Sequence, residues 1–125
     1  MTATARTRVL VVEDAPEVRR RLVELLGTEG EADVVGHASD VPSALAAARL
    51  LRPSLVVLDA RLPGGSGLDV LRTLRAEGAT ARVAVLTQHA TAQARHAYLS
   101  AGADHFFDKA SDIPLLLAVA AMRSR

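Results

Sequence analysis

Leu55 to Gly67 reads LVVLDARLPGGSG, and the reading of this stretch decides the fold. Leu55 to Leu58 is an apolar, valine-rich run too short for a helix. Such a run predicts a strand buried on both faces, the kind found in parallel sheets. Asp59 ends it, and the turn residues Pro63, Gly64, Gly65, Ser66 and Gly67 follow. A carboxylate where a buried strand opens into a loop lies at the carboxyl edge of its sheet, the edge at which open α/β sheets bind their ligands.

Outward from this centre, strand-like runs alternate with helical patterns in both directions. Val9 to Val12 is the first strand, closed by the acidic pair Glu13 and Asp14. Asp14 is placed to cap a helix with Pro16 and Glu17 in its first turn, and Gly27 to Gly30 to stop it. Val18, Leu22, Leu25 and Leu26 share one face of that helix. Asp33 to His37 is the second strand, and Ser39 or Asp40 caps a helix over Val41 to Leu51. After Asp59 comes a helix over Leu68 to Ala76, with Leu68, Leu71 and Leu74 inward and Arg72 and Arg75 outward. Arg82 to Leu86 is a fourth strand ending at Thr87, followed by a weaker helix over about Thr91 to Ala101 that Gly102 closes. Ala94, Tyr98 and Ala101 are spaced for burial on it. Phe106 and Phe107 form a short fifth strand before Asp108 and Lys109, and Asp112 and Pro114 open a last helix to about Met122.

Five β–α units predict a parallel sheet with helices on both faces. If the acidic pair ending strand one and Asp59 ending strand three share a site, those strands are neighbours and strand two lies on the far side of strand one. Right-handed crossovers then give the order 2-1-3-4-5, with the switch point between strands one and three. Thr87 and Lys109 open onto the same crevice, and a lysine side chain is long enough to reach inward from the sheet edge.

The 125 residues predict one domain, 1–125, with a core of Leu, Val and Ala, because aromatic residues make up only 2% of the chain. A net charge of +1 removes the electrostatic case for a nucleic-acid or membrane-surface protein. The absence of cysteine excludes a disulfide framework, a thiol nucleophile and a zinc–thiolate site. Met1 to Arg8 has no apolar signal-peptide core, and no apolar run reaches transmembrane length, so a cytoplasmic protein is expected.

Alone, Asp14 reads as a helix cap, Thr87 as an ordinary strand residue and Lys109 as a solvated charge. Together with Glu13 and Asp59 they all choose one sheet edge, which unrelated surface roles do not explain. Three carboxylates in one crevice repel one another unless a cation intervenes. A hard divalent ion suits two carboxylates, a backbone carbonyl, waters and a phosphoryl oxygen, and Mg²⁺ is that ion. Lys109 adds a fixed cation and Thr87 a hydroxyl donor, which completes the parts needed to orient a phosphoryl group. Asp59 is then a nucleophile that forms an aspartyl phosphate.

VLVVEDAPEVR, LVVLDARLPGGSGLDVL, VAVLT and AGADHFFDK together resemble the receiver domain of two-component response regulators, over essentially the whole chain. The resemblance implies a flavodoxin-like fold, whose strand order is the one argued above, and a non-enzymatic signalling switch. It implies Asp59 as phosphoacceptor, Asp14 as a direct Mg²⁺ ligand, Glu13 as a ligand through water, and the Arg61 backbone carbonyl as a further ligand. Thr87 matches the switch hydroxyl, Lys109 the phosphoryl-binding lysine, and Phe106 the aromatic that changes rotamer on activation. The phosphodonor would be a histidine kinase or a histidine phosphotransfer protein. An output domain following this one and a free-standing receiver both fit the chain.

Three positions depart from the family pattern. Ala110 stands where receivers commonly carry a cis proline, so a different turn is expected there. Gln88 is larger than the usual residue after the switch hydroxyl, and Phe106 has no hydroxyl, so it can act only through packing. With His89 and Arg61, Gln88 is expected to screen the site from water and prolong the phosphorylated state, and Arg61 to lie over the phosphoryl oxygens or pair with Glu13. His37, His89, His96 and His105 have no metal-ligand spacing. The last helix, IPLLLAVAAM, has an apolar surplus: with Ile113, Leu116, Val119 and Ala120 inward, Leu115, Leu117 and Met122 remain partly outside. That surplus is either an untidy helix end or a homodimer or output-partner surface formed by the last two helices and strand five. Two competing functions are a receiver-like protein-binding module acting without phosphorylation and an enzyme acting on phosphorylated small molecules. The intact acidic set argues against the first, and the short loops against the second.

Overall fold

The computed structural model describes residues 6–122. Met1 to Ala5, part of the N-terminal stretch read above for a signal peptide, lie outside them. Five strands, β1 (Arg8–Val12), β2 (Asp33–Ala38), β3 (Leu55–Asp59), β4 (Arg82–Thr87) and β5 (His105–Asp108), form one parallel sheet in the order β2-β1-β3-β4-β5. Between them run α1 (Pro16–Thr28), α2 (Val41–Leu51), α3 (Gly67–Ala76) and α4 (Ala92–Ser100), and α5 (Ile113–Ala121) follows β5. The expected order and the covering of both faces hold. No helix among the described residues is long and apolar enough to cross a membrane.

Alternate side chains of a strand point to opposite faces, and both faces of this sheet are apolar. Leu10, Val12, Val56, Leu58, Val83, Val85 and Phe106 pack against α2, α3 and α4. Val9, Val11, Leu55, Val57, Ala84, Leu86 and Phe107 pack against α1 and α5. The register then aligns the strand ends. Val12 pairs with Leu58, Asp59 with Leu86 and Thr87 with Asp108, so Glu13, Asp59, Thr87 and Lys109 leave the sheet at one edge.

Helix starts follow local chemistry in most cases. Asp40 caps α2 in a reciprocal box with Ser43, and Ser66 caps α3 in one with Asp69. Thr91 caps α4 by accepting from the Ala94 N–H. Between β3 and α3, Arg61–Leu62 and Gly65–Ser66 pair as a short antiparallel ladder around Gly64, whose φ of 83° suits glycine. Gly67 is required by close approach: a Cβ there would lie 2.5 Å from the Asp59 carbonyl oxygen.

Several local expectations are corrected. Asp14 does not cap α1; Ala15 holds that position without a side-chain bond, and Asp14 points to solvent. Helix α1 runs through Gly27 to Thr28, and Val18 stands exposed at the mouth of the crevice described below. Arg75 turns inward. Its guanidinium donates to the carbonyls of Gly102, Ala79 and Ala81 and to Asp104 at 2.8–3.1 Å, and Asp104 in turn accepts the Val83 N–H at 2.8 Å. The unsatisfied loop carbonyls at the foot of α3 and before β5 pull the charge in. Asp112 opens α5 as expected, its carbonyl accepting the Leu115 and Leu116 N–H groups, but its carboxylate makes no bond to the helix and accepts the Asp108 N–H at 2.8 Å instead. In α5, Leu116, Val119 and Ala120 are buried, while Leu115 is 55% exposed and Met122, just past the helix, is 51% exposed.

Candidate functional site

Glu13, Asp14, Asp59, Arg61, Thr87, Gln88, His89 and Lys109, at or just past the ends of β1, β3, β4 and the edge strand β5, meet around one open crevice of about 390 Å³. Carboxylate oxygens of Glu13, Asp14 and Asp59 lie within 4.8 Å of one another. Glu13 is 1% and Asp59 7% exposed, whereas Asp14 is open to solvent. The Lys109 ammonium crosses from the end of β5 and lies 2.6 Å from Glu13 Oε1 and 3.1 Å from Asp59 Oδ2. It therefore answers two of the three carboxylates at once.

Main-chain groups fix the rest. The Arg61 N–H donates to Asp59 Oδ1 at 3.2 Å, and the Ala15 N–H to Glu13 Oε2 at 3.3 Å. The Arg19 guanidinium donates to the Glu13 carbonyl at 2.9 Å, pinning the loop that carries Asp14. The Lys109 N–H donates to the Thr87 carbonyl at 2.9 Å, so the lysine loop is tied to the hydroxyl-bearing strand. Thr87 Oγ1 accepts from the His89 N–H at 3.1 Å, which uses a lone pair and leaves its own proton free to donate. After Lys109, Asp108 Oδ1 accepts the Ala110 N–H at 2.7 Å and closes the turn locally.

The electrostatics are those of a site with surplus negative charge. Burial, with Asp59 beside it, pushes Glu13 from 4.5 up to about 6 against the opposing pull of Lys109. Burial acts to lower Lys109, but its bonds to Glu13 and Asp59 outweigh burial and hold it above its ordinary value. The donor set is all oxygen, from three carboxylates, and such a set suits a hard divalent cation.

All the crevice residues expected from the sequence come together here. Arg61 does not reach Glu13: it is exposed, and among the described residues no ion pair includes it, because Lys109 already holds that carboxylate. Phe106 lies behind the site rather than in it, buried on the α4 side with its ring 5.8 Å from Tyr98. Among the histidines, His89 lines the crevice, His105 stacks on Phe107, and His37 and His96 lie on exposed surface. Two contributors escaped the sequence reading, Arg19 and Tyr98. Arg19 carried no local signal beyond its place on a basic helix face. Tyr98 was legible as a buried residue but not as a hydrogen-bond donor.

The family model described as response regulator receiver domain matches residues 9–121. The chain is 39% identical over 102 residues to the DNA-binding transcriptional activator DevR/DosR of Mycobacterium tuberculosis, covering 82% of this chain and 47% of that protein. It is 37% identical over 110 residues to the nitrate/nitrite response regulator protein NarP of Escherichia coli, covering 88% and 51%. The chain thus spans about half the length of the curated relatives it matches. Among solved structures, the BeF3-activated N-terminal receiver domain of Klebsiella pneumoniae RstA superposes with a TM-score of 0.81 at 29% identity, covering 90% of this chain and 93% of that one. The response regulator domain of Thermotoga maritima CheB gives 0.84 at 26% identity, covering 93% and 94%.

Proposed function

Because this chain belongs to the family of response regulator receiver domains, we propose that it is a switch operated by phosphoryl transfer, with Asp59 as the acceptor. The observation that carries the assignment is the Lys109 ammonium seated between Glu13 and Asp59 at the floor of a solvent-open crevice. A buried carboxylate held by one ammonium and one N–H, with solvent on its remaining side, is placed to attack an incoming phosphorus.

In the step, an Asp59 carboxylate oxygen attacks the phosphorus of a phosphohistidine on a histidine kinase or histidine phosphotransfer protein. The P–O bond forms as the P–N bond breaks, and the imidazole leaves with the electron pair and takes a proton from solvent. Asp14 and Asp59 would hold Mg²⁺ directly, Glu13 through water, and the Arg61 carbonyl would complete the protein ligands. Bound there, the ion offsets the mutual repulsion of the carboxylates and the charge on the phosphoryl oxygens. Lys109 exchanges part of its bond to Asp59 for a phosphoryl oxygen, and the Thr87 hydroxyl donates to another. Phe106, on β5 beside β4, takes up the space that Thr87 vacates.

Output passes through the surface of α4, β5 and α5, where Leu115 and Met122 stand exposed, to a second copy of the chain or to an attached output domain. The test is exposure to a small phosphodonor such as acetyl phosphate with Mg²⁺, followed by mass spectrometry and sedimentation of the same samples. One phosphoryl group is expected on the wild type and none on Asp59→Asn or without divalent metal. Normal labelling of Asp59→Asn overturns the assignment, and an unchanged sedimentation coefficient after full labelling removes the dimer version of the output.

A further inference from the structure

Tyr98 is the only tyrosine of the chain, which has no tryptophan. It lies on α4, 7% exposed, and its hydroxyl crosses to the sheet edge to donate to the Ala60 carbonyl at 3.3 Å. That carbonyl follows directly on the phosphoacceptor residue. It also accepts the Gly67 N–H at 3.0 Å, while the Ala60 N–H donates to the Leu86 carbonyl at 3.1 Å. Ala60 is therefore a joint between the end of β3, the start of α3 and β4, and Tyr98 is the side chain that fastens this joint to α4. Its ring lies against Phe106 at a tilt of 36°.

Two further facts bear on this contact. Arg61, next in the chain, orients the acceptor carboxylate through its N–H, so a shift of the Ala60–Arg61 backbone moves Asp59 as well. Burial raises the Tyr98 phenol above its ordinary value, the Leu68 backbone opposes this, and the charges of Asp59 and Asp69 add to the rise. Phe106 lacks a hydroxyl, and the hydroxyl in this aromatic pair comes instead from the helix.

We infer that Tyr98 is a positioning residue for the phosphoacceptor loop: its hydroxyl holds the Ala60 carbonyl, so that Asp59 and the Arg61 carbonyl are set for metal binding and the occupancy of the site is felt on α4. The inference rests on the phosphoacceptor reading above. Tyr98 touches neither the metal ligands' oxygens nor the reacting atoms; it acts through the backbone.

The test uses the tyrosine itself. Since its emission reports one position, Mg²⁺ titration of the wild type is expected to give a saturable change in tyrosine fluorescence. Tyr98→Phe keeps the ring against Phe106 and removes only the hydroxyl. In that variant the Mg²⁺ concentration for half-maximal labelling by acetyl phosphate, and the Mg²⁺ Kd measured by calorimetry, are expected to rise about three- to tenfold. The labelling rate at saturating Mg²⁺ stays unchanged within about twofold, a split that a general loss of stability would not produce. A metal dependence equal to wild type in Tyr98→Phe overturns the inference, as does a wild-type fluorescence that ignores saturating Mg²⁺; the latter needs no variant to fold. If the wild type takes no label at all, the phosphoacceptor reading falls and this inference with it. Normal wild-type labelling with unaltered metal dependence in Tyr98→Phe overturns the Tyr98 inference alone.

Discussion

The two edges of the one sheet treat charge in opposite ways. At the edge where the strands begin, cations are used up on backbone carbonyls. Arg8 donates to the Leu51 and Arg52 carbonyls that end α2, at 2.8 and 2.9 Å, and Arg75 gathers the carbonyls of Ala79, Ala81 and Gly102. The Thr7 hydroxyl donates to the Met122 carbonyl just past α5 at 2.8 Å. Helix ends leave carbonyls without partners, and this edge answers them. The opposite edge concentrates three carboxylates around a single ammonium and leaves charge over. The larger hollow of the molecule, about 520 Å³ between the ends of α2 and α3, belongs to the satisfied edge, where an Arg49–Glu77 ion pair spans its rim. Size alone therefore does not mark the reactive place. Unanswered charge does.

The strongest way to break this contrast is to damage the satisfied edge and look for chemistry at the other. Arg75→Ala strands several carbonyls and Asp104, and should cost about 2–4 kcal/mol in urea unfolding. The labelling of Asp59 at saturating Mg²⁺ should remain at the wild-type rate below the unfolding transition. A large loss of labelling in a folded sample would show that the two edges are not independent.

A smaller effect sharpens the contrast from the charged side. In metal-free protein, Glu13 has its pKa raised from 4.5 to about 6, so the folded state takes up the proton before the unfolded chain does. The unfolding free energy should then fall as pH rises from about 4.5 to about 6, by up to about 2 kcal/mol, and stay reduced above that range. Glu13→Gln should remove this slope, read from urea unfolding across pH with a chelator present. A slope that survives the substitution places the titrating charge elsewhere.

The smallest expected effect concerns the mouth of the crevice. Gln88 and His89 are both exposed there, beside Thr87. If they restrict water, Gln88→Ala and His89→Ala should each shorten the phosphoryl lifetime about twofold, on the order of 0.4 kcal/mol of barrier. A quenched time course of the labelled protein measures this. Lifetimes equal to or longer than wild type would mean that water enters by another path.

The β–α alternation, the buried central strands and the gathering of acidic residues, Thr87 and Lys109 at one edge were all legible in the chain. Each is a local property: strand period, helix period, and the residue type at the point where a strand stops. Asp59 after four apolar residues is a strand-end carboxylate whatever surrounds it, and parallel order brings strand ends together. Contacts between distant residues depended on register and on the rotation of helices about their axes, which local patterns do not encode. The tertiary structure alone decided that Lys109, and not Arg61, holds Glu13 across 96 positions of sequence. It turned Arg75 inward against the helical pattern, because loop carbonyls at the foot of α3 lacked donors. It left Asp14 uncapping and exposed beside two buried acids. It also carried the Tyr98 hydroxyl across 38 positions to Ala60. A buried tyrosine needs a partner for its hydroxyl, and the packing of α4 over the end of β3 determines which carbonyl is within reach.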